Sequence, residues 1–100
     1  MPYVITFKDS HGTDRSRKSS LRPTHLDYVT SNADRIVVSG GLLPDDDDFP
    51  TGGLIILNVE TREEAVAYIE NDPFFKNGIF TTYTIDRFRK FIFDHKRVTG

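Results

Sequence analysis

The sequence predicts an α+β domain in the order β-α-β-β-α-β, and three observations carry that prediction. Residues 3–8 alternate in pattern, with Tyr3, Ile5 and Phe7 on one face. Residues 35–39 and 54–59 read as two further strands joined by a long charged connection. Helical segments stand before the first of these two and after the second, and a Thr-, Tyr- and Ile-rich run follows at 79–86.

Each element has its own signal. Residues 9–20 are polar, hold Gly12 and carry Arg15, Arg17 and Lys18, so they read as a flexible loop. Pro23 suits the first turn of a helix over 21–33, where its missing N–H costs nothing. Arg35, Ile36, Val37, Val38 and Ser39 form the second strand, which runs into Gly40-Gly41 and the acidic turn Pro44-Asp45-Asp46-Asp47-Asp48. Gly52-Gly53 leads into Leu54 through Val59, a nearly continuous apolar run of the kind covered on both faces. Thr61-Arg62-Glu63-Glu64 is a capping box opening a helix with Ala65, Val66 and Ile69 inward. Asn71-Asp72-Pro73 ends that helix, because the residue before proline disfavours the helical region. Residues 74–78 form a short extra turn, 79–86 the fourth strand, and 88–93 extend it or add a fifth.

This order is the split βαβ plan of ferredoxin-like domains, with two helices on one face of an antiparallel sheet. Strands apolar on both faces need a second cover, and a second copy packed sheet to sheet supplies it economically. The expectation is a homodimer of the α+β barrel kind.

Length and composition narrow the class. One hundred residues make one domain, taken as 1–100. A 37% hydrophobic and 28% charged composition is that of an ordinary globular chain. The net charge of −2 gives no basic footprint, so nucleic acid is not an expected partner. Zero cysteines exclude disulfides, thiol nucleophiles and Cys-based metal sites, and fit a reducing interior. No basic leader followed by an apolar core opens the chain, and no apolar run reaches the roughly 20 residues that cross a bilayer. A cytoplasmic protein with no membrane partner is expected.

The chemistry centres on His25. At about 100° per residue, Tyr28, Leu21, His25, Val29, Ala33 and Leu26 fall in that order along one arc, so the imidazole aims at the core side. Such a ring is either a satisfied core histidine or the working part of a pocket. Positions 65, 69 and 72 share one face of the next helix, which carries Asp72 towards the sheet. Two helices side by side would let that carboxylate approach the imidazole, orient it and select its tautomer for acid–base work. Asp72 could equally only cap the turn beginning at Pro73. Pairing and capping are not exclusive, and spacing alone does not show contact.

Arg22, Ser39, Gly40 and Phe74 are the candidate substrate-binding residues. Arg22 suits a carboxylate or phenolate, although a solvated helix-start arginine is the commoner case. Ser39-Gly40-Gly41 lets a ligand approach the strand backbone, or marks a bulge. Four consecutive aspartates lack the alternation of a calcium loop and read as a solvated turn. His11 and His95 have no ligand spacing to each other or to His25, so no metal site is expected. Phe88-Arg89-Lys90-Phe91 alternates as a final strand does, and its mixture of aromatic and basic residues does not outweigh the acidic total.

Over almost its whole length the chain resembles the YCII-related (YciI-like) proteins. The resemblance lies in Tyr3-Val4-Ile5, Leu21-Arg22-Pro23-Thr24-His25-Leu26, Arg35 through Gly40, Asp72-Pro73-Phe74, Gly78-Ile79-Phe80 and the closing segment 84–93. It implies a dimeric ferredoxin-like α+β fold whose pocket holds a His–Asp pair, here His25 and Asp72. Arg22 matches the family's arginine before that histidine. Many relatives have proline where this chain has Gly41, which puts carried-over specificity in question. A relative resembling this family acts as a dehydrochlorinase on a chlorinated hydroxyquinol, and similar barrels include muconolactone isomerases.

The leading expectation is a small cofactor-free enzyme in which His25, oriented by Asp72, moves a proton on a small cyclic or aromatic oxygenated compound, in a lyase or isomerase reaction. The alternative is a non-catalytic ligand-binding or accessory homodimer, with His25 and Asp72 forming a closed structural pair and no cavity.

Overall fold

The structure is a computed structural model describing residues 1–98. The last two positions of the domain expected over 1–100 lie outside the described residues. The elements run β1 (Tyr3–Lys8), α1 (Arg15–Ser31), a 3-10 turn (Ala33–Arg35), β2 (Ile36–Leu42), β3 (Gly52–Leu57), α2 (Arg62–Glu70), α3 (Pro73–Lys76) and β4 (Tyr83–Arg87). A small hairpin of β5 (Ile92–Phe93) and β6 (Lys96–Arg97) follows.

The main sheet has the order β2-β3-β1-β4, and every neighbouring pair is antiparallel. This is the split βαβ arrangement expected from the order of elements. Ile5 pairs with both Ile55 and Ile85, while Tyr3 pairs with Leu57. Side chains two apart share a face, so Tyr3, Ile5, Phe7, Ile55 and Leu57 form one buried layer. Ala65, Tyr68 and Ile69 of α2 pack on that layer with Phe74, Ile79 and Phe80. Leu21 and Tyr28 bring α1 onto the same cluster. Each fully buried aliphatic side chain of this kind is worth about 1.5–3 kcal/mol. The other face shows Val4, Thr6, Leu54 and Ile56, all half-buried, beside Val38, which is 51% exposed. No helix of the described residues is long and apolar enough to cross a membrane.

Several boundaries differ from expectation. The segment 15–20 is helix rather than flexible loop. Asp14 supplies the cap, its carboxylate accepting from the Ser16 amide at 2.9 Å. Pro23 consequently lies inside α1 instead of in its first turn. Its ring offers no N–H to the Ser19 carbonyl, a helical bond that α1 does without. The strand β2 runs through both Gly40 and Gly41 to Leu42, and Arg35 belongs to the preceding 3-10 turn. On α2 the Thr61 cap accepts from the Glu64 amide at 3.2 Å as expected, but Tyr68 is buried where Val66 is only half-buried. Ile79 and Phe80 are core residues outside any strand, following Gly78 with its positive φ of 74°. Residues 92–93 join a separate hairpin rather than the main sheet, and Phe91, Ile92 and Phe93 are exposed.

Gly53 explains how an aromatic ring reaches the floor between sheet and helix. It pairs with Phe7 across the ladder, and a Cβ at this position would lie 2.6 Å from the Phe7 ring. Phe7 in turn stacks on Phe80 at 3.9 Å between centroids. Gly53→Ala should therefore displace the ring and lower stability by roughly 1–3 kcal/mol, read from urea unfolding.

A second prediction concerns alkaline pH. Tyr83 donates to the Glu70 carboxylate at 2.5 Å, and this bond pushes the phenol up to about 12 from its ordinary 10. A raised phenol stabilises the fold fully below its unfolded value and loses that contribution as pH climbs through the folded one. The Tm advantage of wild type over Tyr83→Phe should accordingly persist below pH 10 and shrink towards pH 12.

Candidate active site

Three local devices bring the site together. The first is the stripe of α1 at positions 18, 22, 25 and 29, spaced i, i+4, i+7 and i+11, which presents Lys18, Arg22, His25 and Val29 to one side. The second is the break between α2 and α3. Pro73 starts α3, and Asp72 is its cap, the carboxylate oxygen Oδ1 accepting from the Phe74 amide at 2.8 Å. The third is the glycine-rich end of β2 and β3, where Gly40, Gly41, Gly52 and Gly53 keep the sheet thin.

The same Asp72 Oδ1 lies 2.9 Å from His25 Nδ1. The carboxylate is 1% exposed and the imidazole 19%. Capping and pairing, which the spacing left open and did not make exclusive, both fall on one oxygen. A carboxylate oxygen only accepts, so Nδ1 is the donor, and in the neutral tautomer this leaves the lone pair on Nε2. The Phe74 ring lies parallel to the imidazole, 4.0 Å between centroids and 5° between planes. His25 is thus held at its edge by Asp72 and on its face by Phe74.

Beside these residues opens a cavity of about 550 Å³. Its floor is apolar, from Phe7, Ile55 and Phe74, and the loop residues Asp48, Phe49 and Pro50 close one side. All the sequence-selected residues line it: His25 and Asp72, Arg22 from the helix, Ser39 and Gly40 from β2, and Phe74 from α3. Arg22 is exposed and has no ion-pair or hydrogen-bond partner among the described residues. Space of this size, apolar with a few polar groups converging, suits a small ring compound.

The structure adds residues that spacing missed. Lys18, assigned to a loop, is buried in the cavity wall. Tyr68, one turn before Asp72, also lines the cavity, and its hydroxyl is buried without a hydrogen-bond partner among the described residues. Burial foremost, then the Asp72 charge, drives that phenol far above its ordinary value. Tyr28 stacks against it at 5.3 Å and donates to the Tyr68 carbonyl at 2.7 Å. The i−4 relation of Tyr68 to Asp72 was the available signal.

The remaining candidates lie elsewhere. Asp47 of the acidic run pairs with Arg15 and caps the Phe49 amide at 3.1 Å, and the Arg15 bond holds its carboxyl below the usual range. His11 and His95 occupy exposed turns. Among the described residues no group of three or more His, Asp or Glu side chains is placed to hold a metal ion.

A family model described as the YCII-related domain matches residues 1–89. Among solved structures, the chain is similar to 5-chloro-2-hydroxyhydroquinone dehydrochlorinase (TftG) from Burkholderia phenoliruptrix, in complex with 2,5-dihydroxybenzoquinone. The TM-score is 0.78 and the identity 29%, over 89% of this chain and 94% of that one. No curated protein sequence matches the chain. The superposition assigns the fold to the ferredoxin-like, dimeric α+β barrel type. With the family model spanning nearly its whole length, the chain belongs to the YCII-related family.

Proposed function

We propose that the protein is a small enzyme that moves a proton on an oxygenated aromatic or cyclic compound, with His25 as the shuttle and Asp72 as its orienting partner. The observation that carries this reading is the 2.9 Å contact between His25 Nδ1 and Asp72 Oδ1 beside an open cavity. The contact leaves Nε2 as the basic atom. Nε2 takes a proton from the substrate, the electron pair of the broken bond forms a new π bond, and Asp72 stabilises the imidazolium. The imidazolium then returns its proton to another carbon in an isomerisation, or to solvent once a leaving group has departed with its bonding pair.

The similar dehydrochlorinase acts on a chlorinated hydroxyhydroquinone, which fits an elimination of this kind. Arg22 is suited to hold a phenolate oxygen, Phe74 to back the ring, and Ser39 and Gly40 to form the facing wall. A purely structural pair would be sealed in dry packing, and the cavity beside His25 favours the enzymatic reading over it. Zero cysteines fit work in a reducing cytoplasm.

Turnover of 5-chloro-2-hydroxyhydroquinone and a panel of related rings tests the proposal. His25→Gln should cut kcat by roughly 10²–10⁴-fold while circular dichroism stays native. Undiminished turnover in that variant would remove His25 from the chemistry.

We also propose that a second copy covers the open sheet face. Support comes from the apolar surface of Val4, Val38, Leu54 and Ile56, which the rest of the described residues leave half-buried or exposed. Light scattering should give twice the mass of the chain, and Ile56→Lys should halve it. A monomeric wild type would overturn this assembly.

A further inference from the structure

The cavity wall holds a second charged group that the proton shuttle does not use. Lys18 is only 6% exposed, a burial that lysine rarely reaches without partners. Its Nζ donates to Asp9 Oδ2 at 2.7 Å and to the Pro50 carbonyl at 2.7 Å. An ammonium has three N–H donors, so one remains. The rings of Phe49 and Phe74, which both line the cavity, stand 5.4 Å from the nitrogen.

A role as a simple clamp accounts poorly for this arrangement. Asp9 Oδ1 is buried without a partner among the described residues, and a buried ion pair usually holds no better than an apolar contact of similar volume. The loop that Lys18 touches is already fastened to α1. Arg15 pairs with Asp47 and lies 4.5 Å from the Phe49 ring centroid.

We propose that Lys18 is a specificity-determining residue whose remaining N–H binds a substrate oxygen at the end of the ring away from His25. This rests on the proton-shuttle reading and adds the chemical class of its substrate. Seven residues of helix set the Lys18 and His25 backbones about 10 Å apart, and the Phe74 ring, 5.4 Å from Nζ and 4.0 Å from the imidazole, keeps the two groups themselves within that distance. A six-membered ring with oxygens at opposite positions, flanked by two hydrogen bonds of about 2.8 Å, fills such a span. Asp9 balances the ammonium, so the wall presents a fixed donor suited to a neutral carbonyl or a phenolate. The substrates are then rings oxygenated at both ends rather than along one edge.

Calorimetry with two probes tests this: 2,5-dihydroxybenzoquinone, with oxygens at both ends, and catechol, with oxygens along one edge. Lys18→Met should raise the Kd of the dihydroxybenzoquinone about ten- to a hundredfold and leave catechol unchanged. The double variant Asp9→Asn/Lys18→Met, which strands no buried carboxylate, should do the same. Asp9→Asn alone keeps the ammonium and should keep the wild-type preference. An unchanged ratio of the two constants, or parallel loss of both probes, overturns the role of Lys18 and leaves the shuttle standing. Failure of the wild type to bind either ring overturns both proposals.

Discussion

A single carboxylate oxygen holds this structure's working parts together. Asp72 Oδ1 accepts from the Phe74 amide and from His25 Nδ1. At 1% exposure the carboxylate has lost almost all contact with water, so those bonds offset its desolvation. The cap sets where α3 begins, and the imidazole ties α1 to that point. Docking α1 against the start of α3 and orienting the histidine are therefore one event. Neither can relax without leaving a buried charge short of partners.

Around that oxygen the site is built from groups that each serve twice. Phe74 provides the capped amide and also the ring that stacks on His25. Phe7 belongs to the buried layer and to the cavity floor, because Gly53 yields the space its ring occupies. Lys18 joins the end of β1 to the β2–β3 loop while standing in the cavity wall. The core and the cavity share side chains, which is how a chain of 100 residues accommodates a cavity of about 550 Å³.

Much of this was legible in the residues because the signals were periodic or local. The strand order follows from alternating segments, and the start of α2 from the Thr61 capping box. His25 and Asp72 stood on apolar faces, which placed them on the core side without showing that they touch. The misses have physical causes. Residues 15–20 carry no apolar rhythm, so only the Asp14 cap announces that α1 starts early. Lys18 therefore went unrecognised as part of the same stripe as Arg22 and His25. Gly40 and Gly41 read as a strand end, yet backbone pairing with Leu54 and Gly53 carries β2 through them. Tyr68 competed with Val66 for the inward face, and its larger ring filled the space beside Tyr28.

Pro23 has a consequence for the wall itself. With no amide hydrogen to offer, it frees the Ser19 carbonyl from the usual helical partner. Ser19 borders the hollow between Lys18 and Arg22. The released acceptor belongs to the main chain of a residue that borders the hollow, so it persists whatever side chain occupies position 19. Polarity there is inherited from the proline four residues on and survives drift in the neighbouring side chains.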